Sequence, residues 1–305
     1  MEAIGENLNT GSHGAAVKPI NRQTFKQRAK AYLRSPLSLL LWLLVTVAAA
    51  ITVLALIFLI VYILVKGVPY LTPDLFAWEY NSENVSLMPA LINTIIMTFL
   101  SLLIAVPLGI FAAIYMVEYA KRGNKVVKVV AITAETLTGI PSIVYGLFGF
   151  LLFAVQLGWG YSMLGGALTL AIMILPTIMR TTEEALKAVP DSYREGSFGL
   201  GAGRLRTVFS VVLPSAIPGI LSGVILAIGR IVGETAALMY TAGTVAGIPE
   251  NLMGSARTLS VHMYVLTNEG LYTNQSYATA VVLLVIVVLI NALSGFIAKQ
   301  IGKNR

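Results

Sequence analysis

Cysteine is absent from the 305 residues, which excludes disulfides, thiolate metal sites and cysteine nucleophiles. Histidine is scarce, since His13 and His262 are the only two, and two imidazoles cannot form a histidine-rich metal site. We therefore expect no metal and no other cofactor. Charged residues make up only 11% of the chain and hydrophobic residues 57%, whereas soluble domains carry about 25% charge. This balance indicates a protein whose main solvent is lipid.

Long apolar stretches account for this composition. About 20 apolar residues are needed for a helix to cross roughly 30 Å of hydrocarbon. Six stretches qualify, and they run approximately over residues 36–65, 87–117, 127–157, 163–179, 208–237 and 277–301. We predict an all-α integral membrane protein with about six transmembrane helices, in which a membrane domain over residues 36–305 follows a basic leader over residues 1–35.

Basic residues fix the predicted orientation, because positively charged loops stay on the cytoplasmic side. Six of the 21 lie in the leader, four between residues 121 and 128, five between 180 and 206, and three after residue 298. Only Lys66 and Arg257 fall on the opposite side. Both termini are thus predicted to be cytoplasmic. The net charge of +7 is explained by topology, so we expect no nucleic acid partner. The leader either contacts anionic membrane lipid or only signals topology.

A long charged connection separates the fourth and fifth predicted spans, over about residues 181–207. Pro190 is expected to end the helix that leaves the membrane, and Asp191 or Ser192 to cap a short new one. Glycines at positions 199, 201 and 203 then end that helix. The pattern predicts a cytoplasmic helix-turn unit that offers Tyr193, Phe198 and Leu200 to a partner's groove.

This connection resembles the EAA loop of ABC importer permeases, whose pattern is Glu-Ala-Ala, three residues, Gly, nine residues, Ile-x-Leu-Pro. The matching residues are Glu195, Gly196, Ser197, Gly201, Val211, Leu213 and Pro214. The spacing agrees throughout, with Gly and Ser in place of the two alanines and Val in place of Ile. The resemblance implies a coupling helix that docks on an ATPase. The chain has no Gly-x-x-x-x-Gly-Lys-Ser/Thr phosphate loop, so we expect another subunit, and not this chain, to hydrolyse ATP.

Ionisable residues inside spans are costly, by about 2.5 to 3.5 kcal/mol on insertion scales, and therefore indicate function unless they are paired. Arg180 and Glu183 are three residues apart, and Arg230 and Glu234 four, so each pair could share a helix face as an internal ion pair. Arg180 and Glu183 could also simply mark the cytoplasmic interface. Alternatively, the guanidinium groups bind an oxyanion in transit.

Neutral donors accompany both pairs, namely Thr181, Thr182, Thr235 and Thr241. Carboxylates beside the arginines favour phosphate over sulfate, because monohydrogen phosphate still has a hydroxyl to donate. Glu135, in the third span, is interpreted as a core carboxylate that neighbouring threonines satisfy.

Two segments are similar to signature segments of phosphate ABC transporter permeases of PstA type. They are Leu175-Pro176-x-x-x-Arg180-Thr181-Thr182-Glu183 and Gly229-Arg230-Ile231-Val232-Gly233-Glu234-Thr235-Ala236-Ala237, in which Ala237 replaces the usual proline. The resemblance implies a type I ABC importer permease fold in a bacterial or archaeal inner membrane. It also implies three kinds of partner: an ATP-binding cassette ATPase dimer, a second homologous permease and an extracytoplasmic phosphate-binding protein.

Other interpretations remain open at this point. The same architecture could carry sulfate, molybdate or an amino acid. An intramembrane transferase would need a nucleophile with a base or a metal site, and the residues for these are too few and scattered. A transporter driven by an ion gradient would be expected to contain inverted repeats, and none is clear in the sequence.

Overall fold

The computed structural model describes residues 36–121 and 123–303, so the predicted leader lies outside the described residues. All regular structure in these ranges is helical. The helices are α1 (Pro36–Gly67), α2 (Met88–Ile114), α3 (Lys125–Thr138), α4 (Ser142–Gly149), α5 (Met163–Lys187), α6 (Asp191–Gly199), α7 (Arg204–Thr207), α8 (Leu213–Val232), α9 (Ala236–Thr241), α10 (Leu259–Glu269) and α11 (Thr273–Lys303). Short π-helical segments follow α2 (Tyr115–Tyr119) and α4 (Phe150–Gln156) and precede α8 (Val208–Val212).

The chain divides into two units after Ile60. The described part of the first unit, residues 36–60, lies entirely on α1. No charged residue occurs in it, and apolar side chains surround the helix on every side. Such a helix is typical of a membrane span. All the other helices belong to the second unit.

Five helical stretches are long and apolar enough to cross a membrane, and a bent pair of helices makes a sixth. The five are Leu37–Tyr70, Met88–Tyr119, Met163–Lys187, Arg204–Val232 and Thr273–Leu293. The prediction of about six spans is confirmed if the bent pair of helices is counted as one span.

The third predicted span is not one continuous helix, because Lys125–Thr138 and Ser142–Gln156 meet at an angle of 104°. Pro141 has no N–H to donate, and it disfavours helical geometry at Ile140.

The fifth predicted span also ends earlier than expected. α8 stops at Val232, Gly233 forms its C-cap, and α9 begins only at Ala236. The break therefore lies inside the stretch that we predicted to be helical as far as Ala237. The sequence also gave no indication of α10, a short helix within the loop that precedes the last span.

α5 is the central helix of the second unit. Leu170, Ile174 and Ile178 on this helix are fully buried, and α5 packs against α2, α3, α4, α8 and α9. The two helix breaks meet beside it, because α4 packs closely on α9.

Gly146 of α4 makes that close approach possible. A Cβ atom at this position would lie 2.7 Å from the Cα of Ala237, so Gly146→Ala must push α4 and α9 apart. Overpacking of this kind costs about 1 to 3 kcal/mol, and we expect a lower midpoint of thermal unfolding in detergent. Gly229→Ala is the matched control, because a Cβ there meets nothing within 4 Å. Equal unfolding midpoints for the two variants would contradict the packing described here.

Candidate functional site

α5 and α8 carry the arginines of the two predicted site segments, and they pack tightly against each other. Thr181 faces Gly223, where an added Cβ would collide with the threonine side chain, and Ala185 faces Gly219, where a Cβ would lie 2.6 Å from the alanine Cβ. The residue numbers rise on α5 as they fall on α8. The two helices therefore run antiparallel.

This register sets the depth of the two arginines. Arg230 lies level with Ile174, which precedes Arg180 by six residues. At 1.5 Å per residue, the arginines differ in depth by roughly 9 Å. Ile174 is near the middle of the span Met163–Lys187, so Arg230 lies near the midpoint of that span, beside the break that follows α8.

Arg230 is half-buried and makes no ion pair or side-chain hydrogen bond with the residues that the structure describes. Its charge is within electrostatic range of the buried Tyr145, whose hydroxyl donates to the Leu137 carbonyl at 2.8 Å. Of the two alternatives for Arg230, the internal ion pair with Glu234 does not form. Because the helix ends at Val232, the spacing of four residues does not bring the two side chains onto one helical face.

Glu234 instead stabilises the break between α8 and α9. It is buried, and its Oε1 accepts a hydrogen bond of 3.0 Å from the N–H of Ala237 in the first turn of α9. A carboxylate at a helix N-terminus satisfies a free N–H group and interacts favourably with the helix dipole. The Glu234 carbonyl accepts from the Ser260 hydroxyl. Glu234 thus joins the start of α9 to α10.

Arg180 lies at the exposed edge of α5. Its Nη1 is 3.6 Å from Glu135 Oε1 on α3, and its Nε donates to Glu184 Oε1 at 3.3 Å. Glu183 pairs with Lys187 instead, so the alternative of an internal ion pair between Arg180 and Glu183 does not form. The interpretation of Glu135 as a core carboxylate is wrong, because its side chain is 69% exposed.

An open cleft of about 220 Å³ surrounds this charged cluster between α3 and α5. It is lined by Ala131, Ala134, Glu135, Met179, Arg180, Glu183, Glu184 and Lys187. The lining combines a guanidinium and an ammonium group with three carboxylates, so the cleft offers both donors and acceptors to a polar solute.

The predicted threonine donors differ in their availability. The Thr181 hydroxyl donates to the Thr177 carbonyl at 2.9 Å, and Thr241 likewise donates to Ala237 at 2.8 Å. Thr235 is half-buried and reaches the Gly233 carbonyl only at 3.5 Å. The Thr182 hydroxyl is buried without a partner in the described ranges. The hydroxyls of Thr182 and Thr235 therefore have more unused hydrogen-bonding capacity than those of Thr181 and Thr241.

α6 is the short helix predicted in the charged connection. Its end agrees with the prediction, and its N-cap does not. α5 ends at Lys187, before Pro190, and α6 ends at Gly199. The predicted cap is wrong, because Pro190 itself is the N-cap and Asp191 is the first helical residue. The apolar side chains predicted for a partner's groove are exposed, at 51% for Tyr193, 46% for Phe198 and 91% for Leu200.

Arg194 fastens α6 to the membrane helices. Its Nη2 donates to Glu118 Oε1 at 2.7 Å, and its Nε lies 3.2 Å from the same oxygen. Its Nη1 and Nη2 donate to the Val189 and Leu186 carbonyls at 2.8 and 2.9 Å. Asp191 adds an exposed contact at 3.2 Å. The hydrogen bonds to Glu118 raise the pKa of Arg194 above its ordinary value. One charged group thus joins the ends of α2, α5 and α6.

The residues of the EAA-like pattern occupy distinct places in this region. Glu195 and Gly196 are exposed on α6, and the Ser197 hydroxyl lies 2.8 Å from the Thr207 hydroxyl. Gly201 turns the chain with a φ of +82°. Leu213 and Pro214 begin α8, where Leu213 packs against a buried apolar cluster.

Sequence reasoning did not identify the contact between Glu118 and Arg194. The two residues are 76 positions apart, and no local spacing rule joins them. One signal was present, because Glu118 is an acidic residue at the end of a span that leads into a basic loop. A carboxylate at this position requires a cation.

Comparison with known proteins agrees with this architecture. Residues 105–304 match the family described as "Binding-protein-dependent transport system inner membrane component". The chain is 37% identical over 238 residues to the probable ABC transporter permease protein YqgI of Bacillus subtilis, covering 73% of this chain and 81% of that protein. It is 36% identical over 211 residues to the phosphate transport system permease protein PstA 1 of Mycobacterium tuberculosis, covering 68% of this chain and 69% of that protein.

Solved structures share the fold. A chain of a bacterial alginate ABC transporter, in complex with an alginate pentasaccharide-bound periplasmic protein, superposes with a TM-score of 0.62 at 17% identity, covering 85% of this chain and 95% of that one. A chain of the MetNI methionine ABC transporter in an inward-facing conformation gives 0.56 at 21% identity, covering 70% and 94%. The chain belongs to the family of binding-protein-dependent transport system inner membrane components, the permeases of ABC importers.

Proposed function

We propose that the chain is a transmembrane permease subunit of an ATP-driven phosphate importer. The observation that carries the proposal is Arg230, a half-buried guanidinium on α8, level with the midpoint of the central helix α5, that has no acidic partner among the described residues. It lies beside the break between α8 and α9. In secondary transporters, solutes bind near the membrane midplane at discontinuous helices, and the same geometry is found here. Relatives named as PstA permeases support the choice of phosphate.

The charge pattern favours phosphate over a fully ionised anion. Arg180 and Arg230 lie at two depths on one helix pair, and the proposed anion path passes from one to the other. Glu135 and Glu184 lie next to Arg180. Monohydrogen phosphate accepts hydrogen bonds from guanidinium and donates one to a carboxylate, whereas sulfate has no proton to donate. Thr235 and the charged end of Glu183 are proposed to line the same path, while Thr181 mainly supports helix packing.

A second permease subunit completes the path in this proposal. Arg180, Glu135 and Glu184 have side chains that are 49%, 69% and 67% exposed on the outside of this chain. Charges in a membrane span face protein or water, because lipid exposure is costly. A homologous permease packed against this face would enclose the charges in a polar path between the two chains.

ATP is proposed to act through α6. Members of this family work with ATPase subunits and a substrate-binding protein. The exposed Tyr193, Phe198 and Leu200 would enter a groove on the ATPase dimer, near Glu195 and Gly196. Because Arg194 ties α6 to the ends of α2 and α5, a displacement of α6 would move the spans that bear the arginines. Hydrolysis itself is assigned to the partner.

The orientation follows from the basic residues. With α6 on the cytoplasmic side, both termini are cytoplasmic. The extracytoplasmic phosphate-binding protein would then dock at the opposite end of the bundle. A cysteine introduced at Asp191, modified only by a reagent that has entered the cytoplasm, tests this assignment.

Gly201 tests the coupling role. Its φ of +82° is unfavourable for a β-branched side chain, and such strain costs about 1 to 3 kcal/mol. We expect Gly201→Val to distort the turn after α6 and to reduce substrate-stimulated ATPase activity by up to roughly tenfold, the factor by which about 1.4 kcal/mol of strain would lower the population of the docked turn. Gly203→Val is the matched control, because Gly203 has φ −74° and ψ 162° and its Cβ position is open. Normal coupling in Gly201→Val would remove the turn from the coupling mechanism.

Solute competition in whole cells tests the choice of solute. Labelled phosphate uptake that depends on this chain should be inhibited by unlabelled phosphate and unaffected by sulfate, molybdate or amino acids. Inhibition by sulfate or molybdate at equal concentration would instead identify a permease for another oxyanion.

A further inference from the structure

A second cluster of polar side chains is buried at the other end of the bundle from α6. Its members are Arg257, His262 and Asn93, which are 4%, 0% and 0% exposed. Asn93 lies near the start of α2, whereas Glu118, which binds α6, follows the end of that helix. At 1.5 Å per residue, these positions are roughly 37 Å apart along the helix. The cluster is therefore remote from the cleft around Arg180.

Arg257 carries a buried charge that no described carboxylate neutralises. Its Nε and Nη2 have no hydrogen-bond partner in the described ranges. These two nitrogens form the side-on edge of the guanidinium, which binds carboxylates and phosphates in a bidentate manner. The ring of Tyr80 covers the group, with its centroid 4.5 Å from the Arg257 Cζ. A buried cation with an unused bidentate edge is costly unless an anion binds there.

His262 adds one donor and one acceptor to the cluster. Burial, followed by the nearby Arg257 charge, lowers the pKa of His262 to about 3. The Val85 backbone acts in the opposite direction and raises the pKa. The imidazole is therefore neutral at physiological pH, with one protonated and one free nitrogen, and neither nitrogen makes a hydrogen bond of regular geometry in the described part of the chain. The ring lies edge-on to Tyr80 at 6.1 Å. Nearby Val85 has a φ of +48°, a strained conformation for a β-branched residue.

Asn93 supplies a further unused acceptor. Its Nδ2 donates to the Gly247 and Arg257 carbonyls at 3.1 and 3.2 Å, which fixes the amide orientation. Its Oδ1 then has no partner among the described residues. The cluster thus combines unused donors with unused acceptors. A carboxylate or sulfate could satisfy only the donors, whereas a tetrahedral oxyanion that retains a proton could satisfy both.

We propose that Arg257, His262 and Asn93 form a second oxyanion site, which binds hydrogen phosphate beneath Tyr80 at the end of the bundle opposite α6. The choice of phosphate rests on the proposed function. The Nε and Nη2 of Arg257 hold two phosphate oxygens, the imidazole N–H donates to an oxygen, and the phosphate hydroxyl donates to Asn93 Oδ1 or the free imidazole nitrogen. Tyr80 is half-buried, and its ring must swing aside for the anion to enter. With α6 in the cytoplasm, this site lies where phosphate arrives.

Equilibrium binding of inorganic phosphate to the purified transporter complex in nanodiscs tests the site, without nucleotide or binding protein. The Arg230→Gln background removes one of the two pathway arginines. Arg180 remains, so the loss of binding on substituting Arg257 in that background assigns the site. We expect this complex to bind phosphate, and Arg257→Lys to weaken binding roughly 10- to 100-fold, because the side-on fork is lost. Sulfate should bind more weakly than phosphate. Equal affinity for sulfate, or unchanged binding in Arg257→Lys, would overturn the proposal.

Arg257→Met provides a second readout. Replacing an unpaired buried charge with an apolar side chain of similar volume is neutral or stabilising. Without phosphate, we expect its unfolding midpoint to equal or exceed that of the unsubstituted complex, and phosphate to raise only the latter. If neither the Arg257→Lys nor the Arg257→Met complex assembled, Arg257 would have a structural partner in the complex. That result would contradict the proposed oxyanion site. Phosphate uptake without any phosphate binding at Arg257 would also overturn it, yet leave the proposed function intact. Binding without uptake in the unsubstituted complex would reject the proposed function alone.

Discussion

Arg194→Ala is expected to destabilise the protein strongly and to release α6 from the membrane helices. The substitution leaves Glu118, only 7% exposed, as a buried carboxylate without its cation. It also removes the donors to the Leu186 and Val189 carbonyls. Breaking a buried ion pair from one side costs about 3 to 5 kcal/mol. We expect a lower midpoint of thermal unfolding and loss of the ATPase subunit during purification.

Two further variants make this result specific. Asp191→Asn removes only the exposed partner of Arg194, because the Asp191 side chain is 79% exposed. Exposed ion pairs contribute only about 0 to 1 kcal/mol to stability. Adding Glu118→Gln to Arg194→Ala removes the stranded charge and should recover part of the stability. If Asp191→Asn were as harmful as Arg194→Ala, the contact with Glu118 would not be what holds α6.

Arg230→Gln is expected to reduce phosphate uptake by at least about 100-fold, since a charged bidentate contact contributes at least about 3 kcal/mol. The complex should still assemble, because Arg230 makes no ion pair or side-chain hydrogen bond with the described residues. Initial rates of labelled phosphate uptake, normalised to complex in the membrane, measure the effect.

Arg230→Lys separates charge from geometry. It retains the positive charge but loses the planar fork that binds a tetrahedral anion in a bidentate manner. We expect an intermediate rate, below that of the unsubstituted complex and above that of Arg230→Gln. Uptake near normal in Arg230→Gln would remove this residue from the anion path.

The sequence predicted the long apolar helices because hydrophobic length is a local property. The same is true of the end of the helix before Pro190 and of the exposed Tyr193 and Leu200. It could not predict the 104° bend at Gly139-Ile140-Pro141. Proline and glycine weaken helical hydrogen bonding at a given position, but the direction that the chain then takes depends on the neighbours.

Side-chain partners were harder to predict than helices. The spacing rule for Arg230 and Glu234 assumed one continuous helix, whereas the helix ends before Glu234 and that carboxylate caps α9. Arg180 had two acidic neighbours within reach, and Lys187 takes Glu183 away from it. Such choices depend on competition among several charges and on the contact with α3, which local spacing does not describe.

ATP-driven uptake into proteoliposomes tests the central claim most directly. The complex co-purified with this chain would be reconstituted with its binding protein, with ATP supplied on the side of α6. The account predicts accumulation of labelled phosphate that stops when ATP is omitted or Arg230 is replaced by glutamine, and that sulfate does not inhibit. Accumulation of another solute in place of phosphate, or phosphate uptake that needs neither ATP nor a partner subunit, would contradict it.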